Sequence, residues 1–373
     1  MKNSLKITID PKRVYGLDIL RCVAILCVLC SHADMLLPDA TIHYFDALVF
    51  DGVTIFFVLS GFLIGGILIR ILEEKGYSFK LVLNFWKRRW FRTLPNYFLI
   101  LVLLTILGVL FTNGFTLWSV KRYFFFSQNL FHPHPALFFP EAWSLSIEEW
   151  FYLLIPAAVF FILGIKLLDK KKALIVVASI VLIAVTLFRL YRYMHLPIQN
   201  YNDWDLILRK QVFTRLDSLM YGVIGAYIAH YYKVSWIKYK LPLLITGIFM
   251  LVIAQLVYIK LRYHPDMYLC VFSFSINSLA TLLVLPFLSE LKQGNGFWFK
   301  IISYLALISY SAYLINLSLI KVWILDNIDL SSLSIYGAAI KYLLFWILTI
   351  LLSILIYKYY EVPLTNLRDK VKK

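Results

Sequence analysis

The stretch GLDILRCVAILCVLCSHADMLL, residues 16–37, is an apolar run that carries two polar side chains, Arg21 and His32. Eleven steps separate these two residues. At about 100° per residue, that spacing returns both side chains to one face of a helix. The same spacing rises about 16 Å, roughly half the thickness of a hydrocarbon core. Because such groups are expensive in lipid, a cation and an imidazole on one face of a membrane helix indicate a functional site.

The rest of the 373-residue chain continues the apolar pattern, with 61% hydrophobic residues. Apolar runs of about 20 residues recur from end to end, which excludes a soluble globular composition. We predict an all-α polytopic membrane protein that forms one domain over residues 1–373, with short cytoplasmic tails at 1–15 and 360–373. The ten predicted membrane helices lie at roughly 17–37, 48–70, 92–112, 147–166, 173–191, 214–232, 241–260, 268–289, 301–324 and 337–359.

The distribution of lysine and arginine predicts the orientation. With the N-terminus inside, the basic residues of both tails and of the 70–92, 166–172 and 233–240 connections face the cytoplasm. The outer connections 34–51 and 326–336 hold no lysine or arginine, and only 189–215 breaks the alternation. Both termini are therefore expected inside. The formal charge of +16 reflects this asymmetry and an attraction to anionic membrane lipid, so no nucleic-acid partner is expected.

Cysteines and histidines give little indication of a metal site. His132 and His134 stand in a long outer connection, each followed by proline and without a third ligand in reach, so we expect no metal there. Four cysteines fall within apolar helices and form no CxxC pair, so they are expected to behave as small hydrophobes: Cys22, Cys27, Cys30 and Cys270.

Two interpretations of Arg21 are open. Asp18 lies one helical turn before it, so Arg21 could snorkel inward with Asp18 as its neutralising partner. That interpretation leaves His32 unexplained. An imidazole is a natural general base for a hydroxyl group, because its pKa lies near neutral pH. We therefore take Arg21 and His32 as candidate catalytic residues.

Arg89 and Arg92 stand three residues apart at the predicted cytoplasmic mouth of the third helix. They share a helix face, and two guanidinium groups there could hold a phosphorylated cofactor such as coenzyme A. Ser60 has no base nearby in sequence and no nucleophile elbow, so we assign it to cofactor binding with Arg21 rather than to nucleophilic catalysis. Gly61 and Gly65, which follow Ser60, are expected to let helices pack closely.

Two carboxylates, Glu148 and Glu149, follow Trp143 at the predicted outer interface. One of them could complete a helix-capping box with Ser146. A cap needs only one carboxylate, so we take both as candidate catalytic residues that could orient His32, bind acceptor hydroxyl groups, or do both. Four further polar or aromatic side chains are candidates for substrate binding: Trp143, Arg215, Asp217 and Asn316.

Arg215 and Asp217 are two residues apart and so point to different helix faces, which predicts separate partners. Asn316 lies within an apolar run, with Lys321 beyond it. Either residue could line a cavity or bind a neighbouring helix, and the sequence does not decide between these roles.

In their order along the chain, these residues resemble the acyltransferase-3 family. The motifs that carry the resemblance are Gly16-Leu17-Asp18-x-Leu20-Arg21 followed by His32, Phe56-Phe57-Val58-Leu59-Ser60-Gly61-Phe62-Leu63-Ile64, Arg89-x-x-Arg92 with Pro95, Trp143-Ser144-Leu145-x-x-Glu148-Glu149-x-Phe151-Tyr152, Arg215-x-Asp217, Ser309-Tyr310-Ser311-x-Tyr313-Leu314 and Glu361-x-Pro363.

The resemblance implies ten helices in a bacterial inner membrane. It also implies a cytoplasmic acyl-CoA donor, usually acetyl-CoA, and an acceptor hydroxyl on an outer polysaccharide, lipopolysaccharide or lipid-linked glycan. It places the essential pair at His32 and Arg21 and donor recognition at Arg89 and Arg92. This chain departs from the family at Thr54, where an acidic residue is common, and at Asn316, where a histidine is common. Relatives often carry a following soluble domain, which we do not expect here.

Together these features predict an O-acyltransferase in which His32 activates the acceptor hydroxyl, and Arg21 or backbone amides stabilise the oxyanion. Direct transfer and an acyl-histidine intermediate both remain open. The main alternative is a proton-coupled transporter or glycan flippase that uses Arg21, His32 and Glu148. Against it, we find no internal repeat and no paired broken helices. A different membrane O-acyltransferase architecture would predict a histidine in a late helix, and the last four predicted helices have none.

Overall fold

The computed structural model describes residues 13–37, 49–75, 78–135, 138–330 and 333–370. Those residues form helices and connections without a strand, which confirms the predicted all-α polytopic class. The ten principal helices are α1 Tyr15–Ala33, α2 Gly52–Lys75, α3 Phe79–Phe111, α4 Ala142–Gly164, α5 Lys170–His195, α6 Leu216–Tyr231, α7 Lys240–Leu261, α8 Ser273–Glu290, α9 Gly296–Ile315 and α10 Ser334–Ile356.

Shorter helical segments connect or extend the principal helices. Turns of 3-10 or α-helix lie at Asp34–Leu36, Leu117–Phe124, Tyr201–Trp204, Lys233–Lys238 and Val362–Lys370. Wider π-helical segments lie at Asp205–Arg209, Tyr268–Phe272, Asn316–Leu325 and Tyr357–Glu361. The segment Asn316–Leu325 continues α9 and begins at one of the candidate site residues. Such irregular turns often mark functional positions in otherwise regular helices.

Nine helices within the described ranges are long and apolar enough to cross a membrane, where the sequence predicted ten. The predicted span at 214–232 corresponds to α6, which has 16 residues. At 1.5 Å per residue it is about 24 Å long, shorter than a typical hydrocarbon core. A second difference concerns α3, which begins at Phe79 rather than near residue 92. Arg89 and Arg92 therefore lie inside a helix, and not in a loop before it.

Glycine allows the helices around α2 and α6 to touch through their backbones. A Cβ atom added at Gly61 would lie 1.9 Å from the carbonyl oxygen of Leu219, and one at Gly222 would lie 2.0 Å from that of Val58. At Gly65 the added Cβ would lie 3.0 Å from the Cβ of Ala226. The close approach predicted for Gly61 and Gly65 is thus confirmed, and it brings the middle of α2 against α6.

Helix α1 packs against α2, α8 and α9, and so lies inside the bundle. At its first turn a Cβ added at Gly16 would lie 1.9 Å from the carbonyl oxygen of Leu288 in α8. At its other end α1 meets the junction between α9 and the π-helical segment. Arg21 and His32 therefore lie in two different surroundings, one towards each end of α1.

Candidate active site

Two cavities lie along α1, one beside Arg21 and one beside His32. The arginine cavity has a volume of about 410 Å³, and its polar lining includes Arg13, Arg21, Ser60, Arg89, Arg92 and Glu148. The histidine cavity has a volume of about 420 Å³, and its polar lining includes His32, Asp34, Asp51, Glu141, Asp205 and Arg209. Both volumes fall in the range typical of small-molecule sites.

Val53 and Tyr313 line both cavities and so form the wall between them. Val53 is in the first turn of α2, and Tyr313 is in the last turn of α9. The Tyr313 hydroxyl lies 2.6 Å from Ser144 Oγ and donates to the carbonyl oxygen of Glu141 at 3.3 Å. The two cavities therefore meet across one aliphatic side chain and one hydrogen-bonded phenol.

The His32 ring is held by Asn316, whose Oδ1 lies 2.5 Å from His32 Nδ1. The Asn316 amide orientation follows from its nitrogen, which donates to the carbonyl oxygens of Ala312 at 3.0 Å and Tyr313 at 2.7 Å. Oδ1 is consequently the atom that faces the imidazole, and an amide oxygen can only accept. His32 Nδ1 must then carry the proton, which leaves a lone pair on Nε2 for a general base.

Glu141 is a site residue that the sequence analysis missed. It is 1% exposed and lies on the wall of the histidine cavity. Its Oε1 accepts the backbone N–H groups of Leu317 at 2.9 Å and Ser318 at 2.7 Å, at the start of the π-helical segment. Burial raises the pKa of Glu141 to about 7, and these amide hydrogen bonds oppose the shift. Its one sequence signal was its place just before the Trp143-Ser144 motif.

The carboxylates Glu148 and Glu149 do not lie beside His32, contrary to one role expected for them. Glu148 lines the arginine cavity, where its Oε2 accepts from the Tyr152 hydroxyl at 2.9 Å and lies 4.0 Å from Arg89. Glu149 is buried and accepts from Thr93 Oγ1 at 2.7 Å. The physical reason is that α4 begins at Ala142 rather than near 147, which places both residues deeper in the bundle.

The arginine cavity brings together all four predicted cofactor-binding residues, Arg21, Ser60, Arg89 and Arg92. Arg89 Nη2 donates to the Tyr152 hydroxyl and lies 3.5 Å from Ser60 Oγ. Ser60 Oγ itself lies 2.6 Å from the same tyrosine hydroxyl. Arg21 Nη1 lies 3.7 Å from Asp18, as the sequence spacing predicted. Together with Arg92, these side chains give the cavity a concentrated positive charge.

Two further side chains line the arginine cavity: Arg13, which the sequence analysis did not single out, and Glu361, which it quoted only as part of a family motif. Arg13 donates from Nε to Asp18 at 2.8 Å, and Glu361 accepts from Asn96 and Ser311 at 2.7 Å each. Arg13 precedes α1, and Glu361 ends the segment after α10. The two ends of the described chain therefore meet at this cavity.

Arg215 and Asp217 have separate partners, as their spacing predicted, and neither lines the arginine cavity or the histidine cavity. Arg215 donates to Thr54 Oγ1 at 2.6 Å, and Asp217 lies 2.7 Å from Arg189 Nη1. The side chains of all three charged residues are 0% exposed. The hydrogen bonds continue from Arg215 through Thr54 to Asp51, because Thr54 Oγ1 donates to Asp51 Oδ2 at 2.6 Å. Burial raises the pKa of Asp51, but the cations Arg209 and Arg215 outweigh it and leave the pKa below its usual value.

The structure also places Trp143 and His134, two residues considered in the sequence analysis. Trp143 lines the histidine cavity, with the Arg209 guanidinium 5.1 Å from its ring. His134 is buried, and its Nε2 lies 3.2 Å from the carbonyl oxygen of Phe139. Across the described ranges, no three histidine, cysteine, aspartate or glutamate side chains come together as a group that could hold a metal ion.

Comparison with known proteins gives a consistent result. A family model described as an acyltransferase domain matches residues 14–358. The peptidoglycan O-acetyltransferase OatA of Listeria monocytogenes is 32% identical over 177 residues, 44% of this chain and 26% of the relative. The O-acetyltransferase OatA of Staphylococcus aureus is 33% identical over 167 residues, 41% of this chain and 26% of the relative.

A third relative is the putative peptidoglycan O-acetyltransferase YrhL of Bacillus subtilis. It is 30% identical over 182 residues, 45% of this chain and 27% of the relative. The match therefore spans about a quarter of the length of each of these relatives. No solved structure matches this chain.

Proposed function

This chain belongs to the acyltransferase family whose model spans residues 14–358, and from that premise we propose that it is a membrane O-acetyltransferase. Its donor is acetyl-CoA from the cytoplasm, and its acceptor is a hydroxyl group of a cell-surface polysaccharide. The relatives named for peptidoglycan favour a peptidoglycan-type acceptor over lipopolysaccharide. The protein acts in the plasma membrane with both termini inside.

One observation carries this proposal: a cavity rich in arginine and a cavity with an oriented imidazole meet at Val53 and Tyr313. A flippase would pass its whole substrate across the membrane, and the wall at Val53 and Tyr313 stands in such a path. A transferase needs only a thioester at the wall and a hydroxyl group on the other side. Proton coupling between Glu148 and His32 is also disfavoured, because the two lie in different cavities.

The arginine cavity suits the phosphate groups of coenzyme A. Arg21, Arg89 and Arg92 point charged groups into it, and phosphate is the ligand that guanidinium forks recognise best. Glu148 and the Tyr152 hydroxyl hold Arg89 in place. The narrow pantetheine arm then extends along α2 towards Val53 and Tyr313, so that the thioester reaches the wall.

At the wall the reaction is a simple exchange of bonds. His32 Nε2 accepts the proton of the acceptor hydroxyl, and the hydroxyl oxygen attacks the thioester carbonyl carbon. An ester C–O bond forms as the C–S bond breaks, and the departing thiolate takes the proton from the imidazolium. The Tyr313 hydroxyl is part of this wall, and by leaving the Glu141 carbonyl it can donate its hydrogen bond to the developing oxyanion.

Replacing Arg92 with glutamine tests the donor site. We expect the KM for acetyl-CoA to rise about 10- to 100-fold, since a charge-assisted hydrogen bond contributes about 1.5–3 kcal/mol. The kcat should change little, because Arg92 holds the cofactor and not the reacting atoms. The measurement is transfer of radiolabelled acetyl groups to peptidoglycan fragments by the full chain in lipid nanodiscs.

Arg88→Gln is the matched control, since Arg88 stands in the same helix but does not line the arginine cavity. Its KM should stay within about twofold of the native value. Failure of the native protein to transfer label from acetyl-CoA to any glycan would contradict the proposed function itself. An equal rise of KM in both variants would contradict the assigned donor site.

Replacing Asn316 with leucine tests the orientation of the catalytic imidazole. We expect kcat to fall about 10- to 100-fold, because Nδ1–H loses its acceptor and the ring can take the wrong tautomer. The KM for acetyl-CoA should not change, because the donor binds in the other cavity. Asn316→Asp, which keeps an oxygen near His32 Nδ1, should retain more activity than Asn316→Leu. Equal kcat values for native protein and Asn316→Leu would remove this role from Asn316.

A further inference from the structure

We propose that the histidine cavity selects an uncharged sugar and excludes acceptors that carry a carboxylate or phosphate beside the reacting hydroxyl. This inference rests on the proposed function and adds the chemical class of the acceptor. It comes from the way in which the charged side chains of the cavity are paired with one another. The cations, the anions and the aromatic walls of the cavity each favour a neutral ligand.

The cavity has two cationic side chains on its described wall, Arg209 and Lys210, and both are already engaged. Asp205 forms an ion pair with each of them. Its Oδ1 lies 3.0 Å from Arg209 Nη1, and its Oδ2 lies 2.5 Å from Lys210 Nζ. Arg209 Nη2 also lies 3.5 Å from Asp51. An anionic acceptor would have to displace these carboxylates to find a counter-charge, and it would lose its hydration on entry.

Two further acidic side chains of the wall, Asp51 and Glu141, are also held in place. Asp51 is fixed by Thr54 and lies 3.7 Å from the buried Arg215. Glu141 is fixed by the backbone amides described above. Residues 38–48, which join α1 to α2, contain no lysine or arginine in the sequence. An ionised carboxylate such as Asp51 only accepts hydrogen bonds, and sugar hydroxyl groups are the donors that match it.

Aromatic rings complete the wall. Trp143, Tyr201, Trp204 and Tyr258 line the cavity together with the amide side chains of Gln255 and Asn277. An aromatic face packs against the apolar C–H face of a pyranose ring, and amides pair with hydroxyl or acetamido groups. Aromatic rings, amides and charged side chains that are paired with one another fit a neutral sugar. On the described part of the wall, Arg209 and Lys210 are both in ion pairs, so neither is a free cation for an anionic sugar.

The test compares two tetrasaccharides of similar length by calorimetry, with the full chain in nanodiscs and no donor present. Chitotetraose is uncharged, and the hyaluronan tetrasaccharide carries two carboxylates. We expect the native protein to bind chitotetraose at least about tenfold more tightly. Equal binding, tighter binding of the anionic sugar, or no binding of either sugar overturns the inference.

Charge-pair variants locate the selectivity. Asp205→Asn leaves Lys210 without its carboxylate and should reduce the preference for chitotetraose to about threefold or less. Adding Lys210→Gln removes the freed cation and should restore the preference. If Asp205→Asn does not fold, Asp51→Asn takes its place, because it leaves Arg209 with one carboxylate fewer. Unchanged selectivity in the folded variant overturns the inference.

This result is separable from the proposed function. Selective binding of chitotetraose without any acetyl transfer from acetyl-CoA would keep the sugar site and contradict the transferase. Acetyl transfer with a preference for hyaluronan fragments would keep the transferase and contradict the uncharged acceptor.

Discussion

Replacing His32 with alanine is expected to lower kcat for acetyl transfer by about 10²- to 10⁴-fold, the usual contribution of a general base. The geometry suits this imidazole to proton transfer, because Asn316 holds Nδ1 and Nε2 is left to accept a proton at the edge of a cavity. Binding of acetyl-CoA should be unchanged, because its proposed site is the arginine cavity. Single-turnover transfer and separate calorimetric binding of acetyl-CoA measure the two effects independently.

His132→Ala is the control, since His132 is exposed in the connection between α3 and α4. It should transfer acetyl groups at the native rate. Native kcat in His32→Ala would remove the catalytic assignment, whichever acceptor is used. Loss of acetyl-CoA binding in that variant would show that α1 as a whole had moved.

Replacing Asp217 with alanine is expected to lower the free energy of unfolding by about 3–5 kcal/mol. Asp217 accepts from Arg189 at 2.7 Å and from Ser275 at 3.0 Å, and both charged side chains are 0% exposed. Removing the carboxylate leaves the Arg189 guanidinium charged and without its counter-ion inside the bundle. Chemical denaturation in detergent, followed by circular dichroism, measures the loss.

The matched double variant Arg189→Met with Asp217→Leu removes both charges and should recover most of the lost stability. Glu74→Ala, an exposed carboxylate at the end of α2, should stay within about 0.5 kcal/mol of the native protein. A loss in Asp217→Ala no larger than that of Glu74→Ala would mean that the buried pair is not a structural requirement.

The sequence predicted the local features well because they depend on residues close together in the chain. Apolar runs located the principal helices, and spacing placed Arg21 beside Asp18. The glycine stripe in α2 predicted a close helix contact, which Gly61 makes with Leu219. The family motifs picked out Arg89 and Ser60, which the structure brings within 3.5 Å of each other.

What the sequence could not predict depends on contacts across long distances in the chain. His32 and Asn316 are 284 positions apart, and nothing local indicates that they share a hydrogen bond. Glu141 acts through backbone amides 176 and 177 positions away, which no side-chain motif encodes. One of the roles predicted for Glu148 and Glu149 was to orient His32. The predicted start of α4 was about five residues too late, and the structure places Glu148 in the arginine cavity instead.

The wall at Val53 and Tyr313 has a consequence for how the outer surface of the cell is supplied with acetyl groups. Beyond the plasma membrane a cell has no pool of nucleotide-linked activated groups. In the proposed reaction only a two-carbon fragment crosses, while its carrier stays behind and is recharged by metabolism. The thioester supplies the driving force at the moment of crossing, so that decoration of the exterior needs neither an ion gradient nor export of an activated donor.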